Sequence, residues 1–279
     1  YLPKNKPRYL MGVGTPEEPL LLKEPALLIL QTDEELPFSA RLQKSEEPSV
    51  DSALVRGRPS WGTATAWATD GSVEVLLEPG SYHLVAHRGI RHEAWEADFE
   101  LEAGEELLHV FSLPEAYALD DYLVADPHSH ASPSGDGGIP MEDRLIVAAG
   151  SGVQVHFGTD HDHVADYRPL LAPLGINTFL ASVVADEVSP LTGHMNIYPV
   201  EEVRSEPNNG AWAWWADPIP TADERASHLR ERHPGTLIQY NHPLGGGVAA
   251  AAGWAPGSLG NPDQWSDNFD AMEVLNSSD

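Results

Sequence analysis

Tyr122-Leu-Val-Ala-Asp126-Pro-His128-Ser-His130 is a short apolar run that passes directly into a carboxylate and two alternating histidines. Alternate side chains of an extended segment lie on one side, so His128 and His130 can face a single point. The chain changes texture at this stretch. Downstream, strand-like runs at 122–125, 153–157, 178–184, 236–240 and 271–275 alternate with helix-like runs at 141–149, 165–171 and 222–232, the last capped by Thr221. This βα alternation predicts an α/β domain with parallel strands, in an open doubly wound sheet or in a barrel.

Upstream, strand-like runs at 26–31, 63–67, 73–77, 82–87, 93–101 and 107–111 are separated by turn chemistry such as Asp70-Gly71 and Pro79-Gly80. They predict an antiparallel, sandwich-like β domain over 26–113. An N-terminal extended segment (1–25) precedes it, and a linker (114–121) joins it to the α/β domain (122–279). His83, His87, His92 and His109 lie in or beside these strands without metal-ligand spacing and read as core or surface residues.

The 279 residues carry 43 acidic and 16 basic side chains, a formal charge of −27 that repels phosphate backbones and anionic headgroups. Nucleic-acid and membrane-surface binding are therefore not expected. The α/β segment holds no lysine, and its only cations are Arg144, Arg168, Arg204, Arg225, Arg230 and Arg232. A polyanionic substrate would need metal ions to meet its charge. With no cysteine, disulfides, thiolate ligands and a cysteine nucleophile are excluded, and any metal must be held by histidine and carboxylate. The acidity, the absent cysteine and a chain that starts at Tyr1 fit an exported, periplasmic or secreted protein; a cytoplasmic one stays open.

Four polar clusters follow predicted strands: Asp126/His128/His130 with Asp136, then Asp160/His161/His163, then Asp186-Glu187, then Asn241-His242-Pro243. Strand ends of a parallel βα fold form one mouth, where ligands far apart in sequence meet. Imidazoles and carboxylates without sulfur suit Zn²⁺, Mn²⁺ or Fe²⁺. There are more candidates than one ion needs, which implies two or three ions with a carboxylate such as Glu187 as bridge. Asp160 reads equally as a ligand or as a group orienting one, and His163 as an outer residue or a proton donor. His156, inside a strand, reads as core, and His228 and His233 as solvated. Trp212, Trp214 and Trp215 form either packing or an aromatic wall, and 244–252 reads as a flexible glycine- and alanine-rich loop. No Gly-x-Ser-x-Gly elbow or Lys-Ser/Thr phosphate loop is present, so serine hydrolase and nucleoside triphosphatase readings fall away.

Taken with Thr192-Gly193-His194-Met195-Asn196, these motifs resemble the polymerase and histidinol phosphatase (PHP) superfamily, and within it the CehA/McbA-like metallohydrolases, which also carry a β domain ahead of the catalytic one. The resemblance covers about 122–279. It implies a distorted, TIM-like βα barrel in which His128 and His130 bind one metal and Glu187 bridges to a second held by His194 and His242. Asp136 and His161 would hold a third. The family's final Asp-x-His has no counterpart before Asp279, which predicts that a C-terminal continuation or a second chain completes the barrel. The expected activity is hydrolysis of a small-molecule ester: a phosphoester of low charge, or a carboxylester or carbamate on the same centre. The catalytic candidates are Glu187 and His163. A non-catalytic, metal-stabilised binding module is the rival of a different class.

Overall fold

The computed structural model describes residues 24–45, 63–216, 219, 221–243 and 261–274. The expected N-terminal segment, the 244–252 loop and the end of the chain lie almost wholly outside them. The chain divides into two compact units, 1–122 with 149–152, and 123–148 with 153–279.

The first unit is all β. Strands β1 (Ala26–Thr32), β4 (Ser72–Leu77) and β7 (Glu106–Phe111) form one sheet in the order β4-β1-β7. Strands β2 (Phe38–Lys44), β3 (Thr63–Ala68), β5 (Gly80–His87) and β6 (Trp95–Leu101) form a second in the order β3-β2-β5-β6. Alternation decides what is buried: Ala26, Leu28 and Leu30 on β1 and Tyr82, Leu84 and Ala86 on β5 enter a core drawn from both sheets. Burying each large side chain there contributes about 1.5–3 kcal/mol. Two expectations need correction. Strand β2 is missing from the expected strands, although Phe38, Ala40 and Leu42 alternate with Ser39, Arg41 and Gln43 as a half-buried strand requires. The unit is also not purely antiparallel, since β1 and β7 pair in parallel, Leu28 opposite Leu107.

The second unit is mixed α/β, mostly sheet with few helices. Strands β8 (Ala125–Ser129), β9 (Val155–Gly158) and β10 (Ala181–Val184) make a parallel sheet in the order β10-β9-β8. Strands β11 (Asp186–Val188), β12 (Met195–Tyr198), β13 (Leu237–Tyr240) and β14 (Ala271–Met272) make a second sheet in that order. Helices α1 (Met141–Gly150), α2 (Arg168–Leu171) and α3 (Ala222–Arg232), with short 3-10 helices at Pro207–Gly210 and Pro262–Gln264, complete the described elements. Helix α3 has the predicted bounds: Thr221 Oγ1 accepts from Glu224 N at its start, acidic residues fill its first turn, and Arg230 and Arg232 its last. The helix buries Ala226 and Leu229 against Ile238, Tyr240 and Trp212.

The expectation of parallel strands throughout is corrected. Among the described residues the strands form two separate sheets and do not close, and β12 runs antiparallel to both β11 and β13. The connection at 189–194 is long enough for a hairpin but too short for a parallel crossover, so β12 must reverse direction. No helix among the described residues is long and apolar enough to cross a membrane.

Candidate metal centre

Strand β8 lies a few residues later than its apolar signal suggests, so Asp126 and His128 sit within the strand rather than beyond it. Its pairing with β9 shifts register between Asp126 and Ser129, where Pro127 offers no N–H to the ladder. His130 follows directly, its carbonyl accepting from Arg144 Nε of α1 at 2.7 Å. The loop beyond folds back because Gly137 has no side chain: a Cβ there would stand 1.9 Å from the Ala131 carbonyl oxygen. That return brings Asp136 to His130, their Oδ1 and Nδ1 3.0 Å apart, with Ser134 Oγ donating to the same carboxylate at 2.5 Å. His161 lies just past β9 and forms a β-bridge with Glu187 of β11. His194 leads into β12, and His242 lies two residues past the end of β13.

These segments converge on one carboxylate. Glu187 is fully buried, and five imidazoles surround it. His128 Nε2, His130 Nε2 and His161 Nδ1 lie 3.3, 2.9 and 3.0 Å from Oε2, while His194 Nδ1 and His242 Nε2 lie 3.2 and 3.5 Å from Oε1. The two oxygens thus face two different sets of histidines. Two groups bring one ligand atom per residue within 4.8 Å of one another: His128, Glu187 and His242, and His130, His161 and Glu187. This differs from the expected partition, in which His128 pairs with His130 and His194 with His242. Asp136 reaches His130 and also His161, its Oδ2 3.5 Å from Nε2.

The donor set fits divalent transition metals. Glu187 Oε2 and His130 Nε2 are buried and 2.9 Å apart, yet neither makes a hydrogen bond, and His242 Nδ1 is likewise buried without one. Lone pairs that converge without hydrogen-bond alignment are what a cation between them satisfies. In the metal-free protein, protons do part of that work. Burial opposes charge on His128, but the carboxylates of Glu187 and Glu273 overcome it and raise its pKa to about 9. His130 is raised in the same way by Glu187 and Asp136. His161 goes down, because desolvation outweighs its carboxylate neighbours. Glu187 is held far below the usual carboxylate range, burial being overridden by the imidazoles of His128, His130, His194 and His242.

A buried amide relay fixes the central carboxylate. Tyr198 Oη donates to Gln239 Oε1 (3.0 Å), and Gln239 Nε2 donates to Asn241 Oδ1 (3.1 Å). Asn241 Nδ2 then donates to Glu187 Oε1 (2.8 Å) and Asn196 Oδ1 (2.7 Å), and Asn196 Nδ2 reaches the Pro127 carbonyl (2.8 Å). Every amide is used in one direction, so the relay ties β11, β12, β13 and the His128 segment to one orientation of Glu187.

Other candidates fall outside the ring. Asp160 accepts from Ala131 N and Tyr167 Oη, which makes it a brace of the His130 loop. His163 is not brought to Glu187: its backbone N donates to Asp186 Oδ1, and its Nε2 lies 3.3 Å from Asn209 Nδ2. His156 is fully buried beside Ser182 and Tyr167, and desolvation lowers its pKa to about 3. His228 is not simply solvated, since it packs on Trp212, and desolvation lowers His233. The tryptophans divide: Trp212 is core, Trp214 Nε1 donates to Asp162 Oδ1 at 2.9 Å between His161 and His163 in sequence, and Trp215 is exposed.

Sequence reasoning missed Glu273. It follows β14 directly, accepts His242 N on Oε2 at 2.5 Å, and holds Oε1 2.6 Å from His128 Nδ1. The signal that could have found it is the one that located the other clusters, a polar residue at a strand's carboxyl end. No protein-family model matches the chain, and no characterised protein matches it by sequence.

Proposed function

We propose that this protein is a metal-dependent hydrolase of small-molecule esters, built on a PHP-like metal centre of two or three ions, Zn²⁺ first with Mn²⁺ or Fe²⁺ as alternatives. The observation that carries the reading is Glu187, fully buried with five imidazole nitrogens within 3.5 Å of its two oxygens. A buried carboxylate with histidines on both oxygens is the arrangement a pair of cations needs from a bridging ligand. The PHP-like βα barrel belongs to this reading, with the two sheets of the second unit as its parts.

Glu187 would bridge, with His128, His130, His161, His194 and His242 as terminal ligands, and Asp136 beside His130 and His161 would serve a further ion. Such a centre supplies Lewis-acid polarisation of the ester and a hydroxide nucleophile near neutral pH. The chain's own residues hold this geometry: Asn241 orients Glu187, and Arg144 anchors the His130 backbone. The segment from 122 onward has no lysine and only six arginines, so little side-chain cation is available to meet a dianionic phosphate, which favours a phosphodiester or triester. The same scarcity supports a carboxylester or carbamate as the second reading. The test is turnover of p-nitrophenyl phosphate, bis-p-nitrophenyl phosphate and p-nitrophenyl acetate by metal-replete protein. Chelator-sensitive hydrolysis of the diester or acetate above the monoester is expected. No turnover of any of the three would point instead to a metal-stabilised binding module.

A further inference from the structure

Glu273 has no place in the ligand set derived above, yet it makes the shortest histidine–carboxylate contact around the ring, 2.6 Å to His128 Nδ1. Sheet pairing puts it there. Strand β14 runs parallel to β13, with Gln239 opposite Ala271 and Tyr240 opposite Met272, and Glu273 N continues the ladder onto the Tyr240 carbonyl at 3.0 Å. The next position therefore lies beside Asn241-His242, where β13 ends. Its side chain is mostly buried, and its two oxygens serve two different segments, His128 Nδ1 at 2.6 Å and His242 N at 2.5 Å.

We propose that Glu273 is the positioning carboxylate of the centre. It holds His128 in the Nδ1–H form, so that the lone pair on Nε2 is presented to the metal shared with Glu187, and it fixes the His242 backbone to the same point. An imidazole has two nitrogens, and only the one without hydrogen can ligate. Here Nδ1 faces Glu273 while Nε2 faces Glu187 Oε2 at 3.3 Å, so the carboxylate decides which nitrogen is which. Accepting that hydrogen also makes Nε2 more basic and a better ligand. Glu273 itself is not among the converging ligand atoms; it lies on the opposite edge of the His128 ring and acts through it. The peptide N–H of His242 occupies its second oxygen, so one side chain registers two candidate ligands from strands far apart in sequence.

The inference rests on the metal reading, and the experiment separates the two. Zinc affinity is measured by competition with a chelating dye for the wild type, Glu273→Gln and Glu273→Asp, and the His128 imidazole of zinc-loaded wild type is examined by ¹⁵N NMR. Glu273→Gln should weaken one bound zinc by about 10- to 100-fold, with the other changed little. Glu273→Asp, which keeps the charge, should recover part of that loss. His128 should show a protonated Nδ1 and a coordinating Nε2, a result that needs no variant. Wild-type zinc affinity in Glu273→Gln, or His128 coordinating through Nδ1, overturns the positioning role. Wild-type protein that binds no zinc overturns the metal reading, and this inference with it.

Discussion

Both units are rich in histidine, and they use it in opposite ways. In the β unit each histidine is met by its own local partner. His83 Nδ1 is 2.9 Å from Asp98, His87 lies on Ser39, His92 bonds the Arg88 carbonyl, and His109 packs between Trp95 and Phe99. Desolvation lowers the pKa of His87, His92 and His109, so these rings are kept neutral as packing or hydrogen-bonding groups. In the α/β unit five histidines from four segments crowd one buried carboxylate, and His128, His130 and His242 are pushed up instead. The difference teaches that histidine count says little; a shared, buried counter-charge distinguishes a ligand set from a collection of core residues.

The strongest way to break this contrast is to remove the counter-charge. Glu187→Gln keeps the side-chain volume but cannot bridge two cations, so hydrolysis and affinity for the second metal should each fall by at least ~100-fold, with far-ultraviolet circular dichroism near that of the wild type. Near wild-type turnover in this variant would refute the bridging role. A smaller effect should follow from exchanging the histidines across the comparison. His130→Ala should lose about 10-fold or more in affinity for one ion. His109→Ala should leave metal content unchanged and cost roughly 0.5–1.5 kcal/mol of stability through lost ring packing. Equal metal loss in both would erase the distinction between the units.

Proton linkage sharpens the same point with a smaller signal. His128 in the metal-free protein is raised from 6.5 to about 9, so its contribution to stability is fully present below pH 6.5 and is lost as pH rises through about 9. A ligating imidazole must be neutral, so zinc binding at pH 7 should release protons, and its affinity should rise with pH. Denaturant titrations of metal-free protein across pH 6 to 9.5 and calorimetry in two buffers of different ionisation enthalpy would measure both. Metal-free stability that climbs steadily over that range, with no proton release on loading, would contradict the role given to His128.

What the sequence made legible depended on whether a local pattern carried it. Helix α3 announces itself through Thr221, its acidic first turn and its basic last turn. His161 and His242 are found because the strands before them are apolar. The strands that carry the site are harder, because their buried positions are polar: β11 is Asp-Glu-Val, and β12 buries Asn196 along with Met195 and Ile197. A hydrophobic pattern cannot register a strand whose interior face is the centre itself. For the same reason β8 reads as ending at Ala125, where the structure begins it. The parallel pairing of β1 with β7 joins residues far apart in the chain, and no local periodicity encodes it. Glu273 reads as an interior position of the run 271–275, whereas β14 ends at Met272 and leaves this carboxylate at a strand's carboxyl end, where it meets His128.

The central claim, that the α/β unit holds a multi-ion centre around Glu187, is tested most directly by elemental analysis after equilibrium dialysis of the protein against zinc. The account predicts two or more equivalents per chain in the wild type. Less than one equivalent in well-folded wild-type protein would contradict it.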